Sequence, residues 1–255
     1  MVKITNIVST ILNFIFMFKN TAFFLFFVLI ASPLFLSKLE VKAASFTVTN
    51  TNSSGAGSLL QAITDANNSA GLDTINFNIA GVGPFTINLS AFTNTIISDS
   101  LAIDGLTQPG ATAANPLINI KNVTLTNFSS TVNSMSFNGL ILENTTLMTV
   151  SNSITATNNK FISTPNGSLN VKNATSGTIS NNTFTNGLGA MITNSNNLSV
   201  TNNTFNNTSW GVNFVSGVNN NNTISNNTFT GGANGVGFNL FEFNSPPLAA
   251  FLSLC

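Results

Sequence analysis

Three carboxylates are the side chains of this sequence best suited to chemistry. Asp99 and Asp104 lie five residues apart, and Glu143 is the single carboxylate between residues 105 and 240. Paired carboxylates hydrolyse glycosidic bonds and clustered carboxylate oxygens bind Ca²⁺, but acid–base work needs groups that converge on one cleft. No third acidic residue or base follows Asp99 and Asp104 closely, so we interpret them as a strand-end cap and a turn residue. We predict no catalytic residue, metal or cofactor, and retain these three carboxylates as the candidates.

Trp210, the only tryptophan, is the candidate ligand-binding residue. An exposed indole would stack on a sugar ring, whereas a buried one would fill a loop pocket, and the sequence leaves both interpretations open. Asp65 and Asp73 lie in or just after a predicted helix, and we interpret them as solvated or capping residues.

A motif of the form Asn-Asn-x-Phe occurs four times at nearly even spacing. Its phenylalanines are 23, 21 and 24 residues apart, which is the period of a solenoid. Glu143 and Lys121 are separated by 22 residues, so we expect them to meet across neighbouring coils as a surface ion pair. The phenylalanines predicted to stack in the core are Phe161, Phe184, Phe205 and Phe229.

Each motif also predicts a bend in the chain. An apolar residue stands five positions before each phenylalanine, and positions five apart on a flat strand face opposite sides. Both side chains reach the core only if the chain turns between them, and asparagine tolerates the left-handed conformation of such a turn. Corner asparagines on successive coils would stack about 4.8 Å apart as a hydrogen-bonded ladder. The predicted corners are Asn158, Asn181, Asn202 and Asn226.

Glycine opens a second alternating run in each wider loop, at Gly189, Gly211 and Gly235. Coils of about 22 residues fit an all-β, right-handed parallel β-helix. Leucine-rich repeats and the calcium-binding nonapeptide roll would carry signatures that are missing here. Two other interpretations are a disordered polar tract, which would lack the regular phenylalanines, and glycosylation at sequons. The sequons include Asn122, Asn127, Asn144 and Asn173.

The amino-terminal segment predicts export. An apolar run from Thr21 to Ser37 precedes Val41-Lys42-Ala43, which is typical of a signal peptide over residues 1–43; an uncleaved membrane anchor is the alternative. The exported chain would hold six acidic residues and three lysines, with no Arg or His. Nucleic-acid binding is therefore not expected, and membrane contact is expected only through an uncleaved leader. The only cysteine is Cys255.

Residues 44–74 are expected to cap the solenoid with one short helix. Ser58 is a suitable N-cap, and Gln61 would complete a capping box with it. Gly71 is the predicted helix stop. Leu59, Ala62, Ile63 and Ala66 form one apolar stripe, which would cover the open end of the coils. The coils are predicted over residues 75–244, followed by an apolar tail, 245–255.

Three segments resemble the opening of bacterial right-handed parallel β-helix repeat proteins of the pectin-lyase-like superfamily. They are Phe46-Thr-Val-Thr-Asn through Asn67, Asp73-Thr-Ile-Asn-Phe77 with Gly83 to Leu89, and Ile103-Asp-Gly-Leu-Thr-Gln-Pro-Gly110. The resemblance implies an exported or surface protein, and some relatives cleave polysaccharides. We expect a non-enzymatic adhesive, glycan-binding or structural role at the cell surface, with glycans or surface proteins as partners. The alternative is a polysaccharide lyase or glycoside hydrolase.

Overall fold

A computed structural model of the chain describes residues 42–92, 94–126, 132–163, 168–231 and 234–238. Within them the chain winds through three parallel sheets, and each coil adds one strand to each sheet. Strands are numbered along the chain. Sheet A contains β1 (Ser45–Val48), β2 (Asp73–Phe77), β5 (Leu101–Asp104), β8 (Ser134–Asn138), β11 (Ser153–Thr157), β14 (Ser176–Ser180), β17 (Leu198–Thr201) and β20 (Thr223–Ser225).

The other two sheets have seven strands each. Sheet B contains β3 (Phe85–Asn88), β6 (Ile118–Lys121), β9 (Leu140–Glu143), β12 (Lys160–Ile162), β15 (Thr183–Thr185), β18 (Thr204–Asn206) and β21 (Thr228–Thr230). Sheet C contains β4 (Asn94–Ile96), β7 (Thr124–Thr126), β10 (Thr146–Val150), β13 (Leu169–Lys172), β16 (Ala190–Thr193), β19 (Trp210–Phe214) and β22 (Asn234–Phe238). This architecture confirms the predicted parallel β-helix.

Alternation along each strand fills the interior. Inward positions carry buried Ile, Leu, Val and Phe, while their neighbours on the same strand face outward. Parallel pairing keeps equivalent residues in register from coil to coil, as in Ala156↔Ile179 and Ile179↔Val200. Hydrophobic side chains therefore stack along the axis in a single continuous core.

Helix α1 (Leu59–Asn67) packs against β1 and β2, the first two strands of sheet A. Its four buried residues are those of the predicted stripe. Ser58 is the N-cap, and its side chain accepts a hydrogen bond from the Gln61 backbone N–H at 3.2 Å. The predicted capping box is wrong in its second half, because the Gln61 side chain donates to Asp65 instead. The Ser58 N–H already donates to the Gly55 carbonyl, so no reciprocal bond is needed.

The end of the helix also differs from expectation. Helix α1 ends at Asn67 and its C-cap is Asn68, whose N–H donates to carbonyls of the last turn. Gly71 adopts a positive φ of 121° but lies in the connection to β2, after the helix has ended. Among the described residues, no helix has the length and apolar character that a membrane crossing requires.

Asparagines in the left-handed conformation mark more than one corner of the coils. Asn158, Asn181, Asn202 and Asn226 have φ between 56° and 60° at the corner between sheets A and B. Three of the sequon asparagines, Asn122, Asn144 and Asn173, are left-handed corner residues as well. Their side chains extend outer ladders: Asn144 donates to Asn122, which donates to Asn88. Asn127, the leader up to residue 41 and the tail 245–255 lie outside the described residues.

Candidate functional site

The first two candidate carboxylates serve local structure. Asp99 accepts hydrogen bonds from the backbone N–H of Ser100 at 2.6 Å and of Gly71 at 3.3 Å. Asp104 ends β5, and its Oδ1 accepts from the Leu106 N–H at 3.0 Å and from the side chain of Asn138 at 2.9 Å. The bonds of Asp99 hold the segment that leads into β5, and those of Asp104 hold the turn that follows it. These are the kinds of position that we assigned to the two residues.

The third candidate, Glu143, is part of an ion pair on the outer face of sheet B. Its carboxylate lies 2.8 Å from Lys121 Nζ and 3.0 Å from Asn119 Nδ2. Lys121 and Glu143 are register partners on β6 and β9, so the spacing of one repeat does bring them together. The hydrogen bond from Lys121 and, to a smaller extent, the hydrogen bond from Asn119 hold the pKa of Glu143 below its ordinary value. Glu143 is therefore a charged, paired carboxylate at neutral pH.

The three candidates are held on different elements by different partners. Asp99 contacts the connection that follows α1, Asp104 ends a strand of sheet A, and Glu143 ends a strand of sheet B. No three His, Cys, Asp or Glu side chains group as a metal site in the part of the chain that the structure describes. A shallow cleft of about 200 Å³ between β1 and α1 has Asp65 as the carboxylate in its lining.

Asp73 is not solvated, so that part of the sequence interpretation is wrong. It is the first residue of β2 and its exposed fraction is 0 %. Its Oδ1 accepts hydrogen bonds from the backbone N–H of Ala44 at 2.7 Å and from the Ser69 hydroxyl at 3.3 Å. Its Oδ2 is buried and has no hydrogen-bond partner among the described residues. Folding of α1 over β1 and β2 explains this burial, which local sequence does not reveal.

A continuous buried ladder is formed by the second asparagine of each motif. Asn182 Oδ1 accepts from both the backbone N–H and the side chain of Asn159, each at 3.0 Å. Asn182 in turn donates to Asn203 Oδ1 and, through Nδ2, to the Ala156 carbonyl. The same pattern links Asn203 to Asn227. The predicted ladder thus exists, but the left-handed asparagine turns the backbone while its successor makes the buried ladder.

The ladder ends where the sequence motif changes. In the preceding coil the corner reads Asn138-Gly139-Leu140, and Gly139 takes the left-handed conformation with φ 62°. Leu140 occupies the ladder position, and its backbone N–H donates to Asn159 Oδ1 at 3.0 Å. In the sequence, a glycine between two alternating runs, Gly139, is the feature that would predict this fifth copy of the corner.

The four phenylalanines of the motif lie in register on sheet B. Successive ring centroids are 4.6, 4.7 and 5.1 Å apart, and the rings are within 9° of parallel. Phe161, Phe184 and Phe205 are 0 % exposed, and Phe229 is partly buried. The aromatic stack therefore runs beside the asparagine ladder along the interior edge of the coils.

Short hydroxyl side chains, together with the amide of Asn138, cover the outer face of sheet A from β8 to β20. We call this surface the hydroxyl face. Its two central rows, set by the strand register, are Ser136–Thr155–Thr178–Ser199–Thr223 and Asn138–Thr157–Ser180–Thr201–Ser225. All ten side chains are half-exposed or exposed. Hydroxyl groups both donate and accept hydrogen bonds, so the surface is an uncharged, regularly spaced array of both functions.

The other two outer faces are interrupted. On sheet B the outward positions include Ile141, Ile162 and the Lys121–Glu143 pair. On sheet C they include Met148 and Met191. The hydroxyl face is therefore the most uniform surface of the solenoid over these strands.

Trp210 lies at the start of β19 and is 39 % exposed. A Cβ at Gly237 would lie 2.3 Å from the indole ring, so the ring packs on the backbone of the next coil. One side of the indole is thus supported and part of the ring reaches solvent, which combines features of both sequence interpretations.

No family model matches the chain, and neither a curated protein nor a solved structure does so.

Proposed function

We propose that this protein is an exported, non-enzymatic β-helix that binds uncharged polysaccharide at the cell surface through its hydroxyl face. The observation that carries the proposal is the pair of five-residue rows on sheet A. Each row repeats one hydrogen-bonding group per strand, at the strand spacing of about 4.8 Å. A linear glycan also repeats hydroxyl groups along its length, so several coils bind one chain together.

Charge favours neutral glycans over acidic ones. None of the ten side chains in the central rows is ionisable, so a carboxylate or sulfate on the ligand would lose water without gaining a cation. Thr155 and Thr178 have no side-chain hydrogen bond to another described residue, which leaves their hydroxyls for a ligand. The leader predicted over residues 1–43 supports the placement of this surface outside the cell.

A glycan array probed with the purified full chain tests the proposal. We expect signals on neutral polysaccharides and weaker signals on acidic ones. The same neutral glycan should then bind the Thr155→Val, Thr178→Val double variant about tenfold or more weakly, because two hydrogen bonds of about 0.5–1.5 kcal/mol each are lost. Valine keeps the shape and strand preference of threonine.

The matched control is the double variant Thr183→Val, Thr204→Val. These two threonines are also register partners on adjacent strands, but on the outer face of sheet B. Their replacement should leave glycan affinity unchanged. Equal losses in both double variants, or a loss confined to Trp210→Ala, would place binding elsewhere and refute the role of the hydroxyl face.

A further inference from the structure

The buried carboxylate of Asp73 lies beside the backbone nitrogen at which the predicted leader would be cut. Ala44 N donates to Asp73 Oδ1 at 2.7 Å, and Asp73 Oδ2 has no partner among the described residues although the side chain is 0 % exposed. A buried carboxylate is costly unless it is paired with a positive charge and fully hydrogen-bonded. In the uncut chain, Ala44 offers only one neutral N–H.

We propose that Asp73 is the receptor for a new amino terminus, created by cleavage between Ala43 and Ala44, and that this ion pair locks the first coil of the mature protein. The inference rests on the export part of the proposed function. Hydrolysis adds water across the Ala43–Ala44 bond: Ala43 leaves as a carboxylate, and the nitrogen of Ala44 becomes a protonated amine at neutral pH. That group carries two further N–H donors and a positive charge.

The surrounding contacts suit such a receptor. The Ala44 carbonyl accepts from the Thr74 N–H at 2.9 Å, and the Asp73 N–H donates to the Ser100 carbonyl, which fixes both partners in sheet A. The other carboxylates on adjoining elements have their own donors, since Asp65 binds Gln61 and Asp99 binds Ser100. Lys42 and Ala43 are exposed, and removal of both leaves the nitrogen of Ala44 in place.

The position also explains why the charge would matter to folding. Strand β1 is the edge strand of sheet A and pairs with β2 alone. An ion pair at the first residue before β1 would secure this strand, on which α1 packs. Export would thereby be coupled to stability, since only the processed chain gains the pair.

Two measurements on the exported protein test the lock. Mass spectrometry of the mature chain should find Ala44 as the first residue. The melting temperature of that chain should exceed that of the uncleaved Ala43→Phe chain by roughly 5 °C or more, and Asp73→Asn should remove this difference. Asp65→Asn, which changes another carboxylate near the cap, should preserve it.

A second readout remains if Asp73→Asn does not fold. The α-amine of the native mature chain should react with an amine-labelling reagent at least about tenfold more slowly than the same amine after unfolding, because Asp73 holds it. A different first residue would refute the cleavage site and the lock together. Ala44 at the terminus with equal melting temperatures, or with a fast-reacting amine, would refute the lock alone, and neither result bears on glycan binding.

Discussion

At each A–B corner formed by the Asn-Asn-x-Phe motif, the two adjacent asparagines have different roles. Asn181 has a φ of 57° and an exposed side chain, whereas Asn182 is 1 % exposed and bonds to the coils on both sides. The first position demands a backbone conformation that glycine also adopts, as Gly139 shows. The second demands an amide whose donor and acceptor are both used.

Asn182→Ala should therefore lower the free energy of unfolding by about 2–5 kcal/mol, because it orphans buried groups of Asn159 and Ala156. Asn181→Gly, the matched control one residue earlier, should cost less than about 1 kcal/mol. Urea denaturation of the two variants measures both values, and similar losses would contradict the division of tasks.

The lowered pKa of Glu143 predicts a small effect of pH on the free energy of unfolding. The pKa of Glu143 is lowered in the folded protein, so the ionised carboxylate stabilises the fold above the ordinary value of 4.5. This stabilisation is lost as the pH falls through the lowered pKa. Because the pair with Lys121 is on the surface, we expect Glu143→Gln to cost at most about 1 kcal/mol at pH 7.

The cost of Glu143→Gln should shrink progressively in denaturation curves measured at pH values falling below 4.5. Lys160→Gln, which removes a lysine bound to the Ala114 carbonyl, should show no such pH dependence. A cost for Glu143→Gln that stays constant with pH would mean that the ion pair contributes nothing.

At the scale of the element, sheet B depends on its aromatic stack. Phe205 is 0 % exposed and lies between two rings, 4.7 Å from Phe184 and 5.1 Å from Phe229. Short strands of three residues, such as β15 and β18, bury one large side chain each. Loss of that side chain removes most of the apolar contact of the strand.

Phe205→Ala should accordingly destabilise the protein by about 3–5 kcal/mol. Thr204→Ala, on the same strand but facing outward, should cost less than about 1 kcal/mol. Thermal or urea unfolding followed by circular dichroism compares them, and equal midpoints would show that the inward assignment is wrong.

How far sequence predicts this fold depends on the regularity of each coil. The period of Phe161, Phe184, Phe205 and Phe229 is enough to place the sheet B stack and the corner, because one motif repeats in parallel register. It does not reveal which asparagine is buried, since side-chain direction at a turn depends on backbone conformation. It also hides the coil of Leu142, where leucine replaces phenylalanine, and the burial of Asp73, which depends on α1.

At the scale of the whole molecule, the three faces of the solenoid differ in chemistry. Sheet A presents rows of hydroxyls, sheet B carries an ion pair and half-buried aliphatics, and sheet C carries methionines and Trp210. Repetition of the coil makes the hydroxyl face long and narrow. Five successive strands span about 19 Å at the usual strand spacing, which is longer than a pocket for one sugar.

The most direct test of this account is the affinity of the full chain for a neutral glycan identified on the array, measured by calorimetry as a function of oligosaccharide length. Binding to an extended row predicts that affinity rises from the disaccharide through longer oligomers until the ligand spans the five strands. The rise should be smaller in the Thr155→Val, Thr178→Val variant. Equal affinity for the disaccharide and the hexasaccharide would contradict the extended surface and indicate a compact site instead.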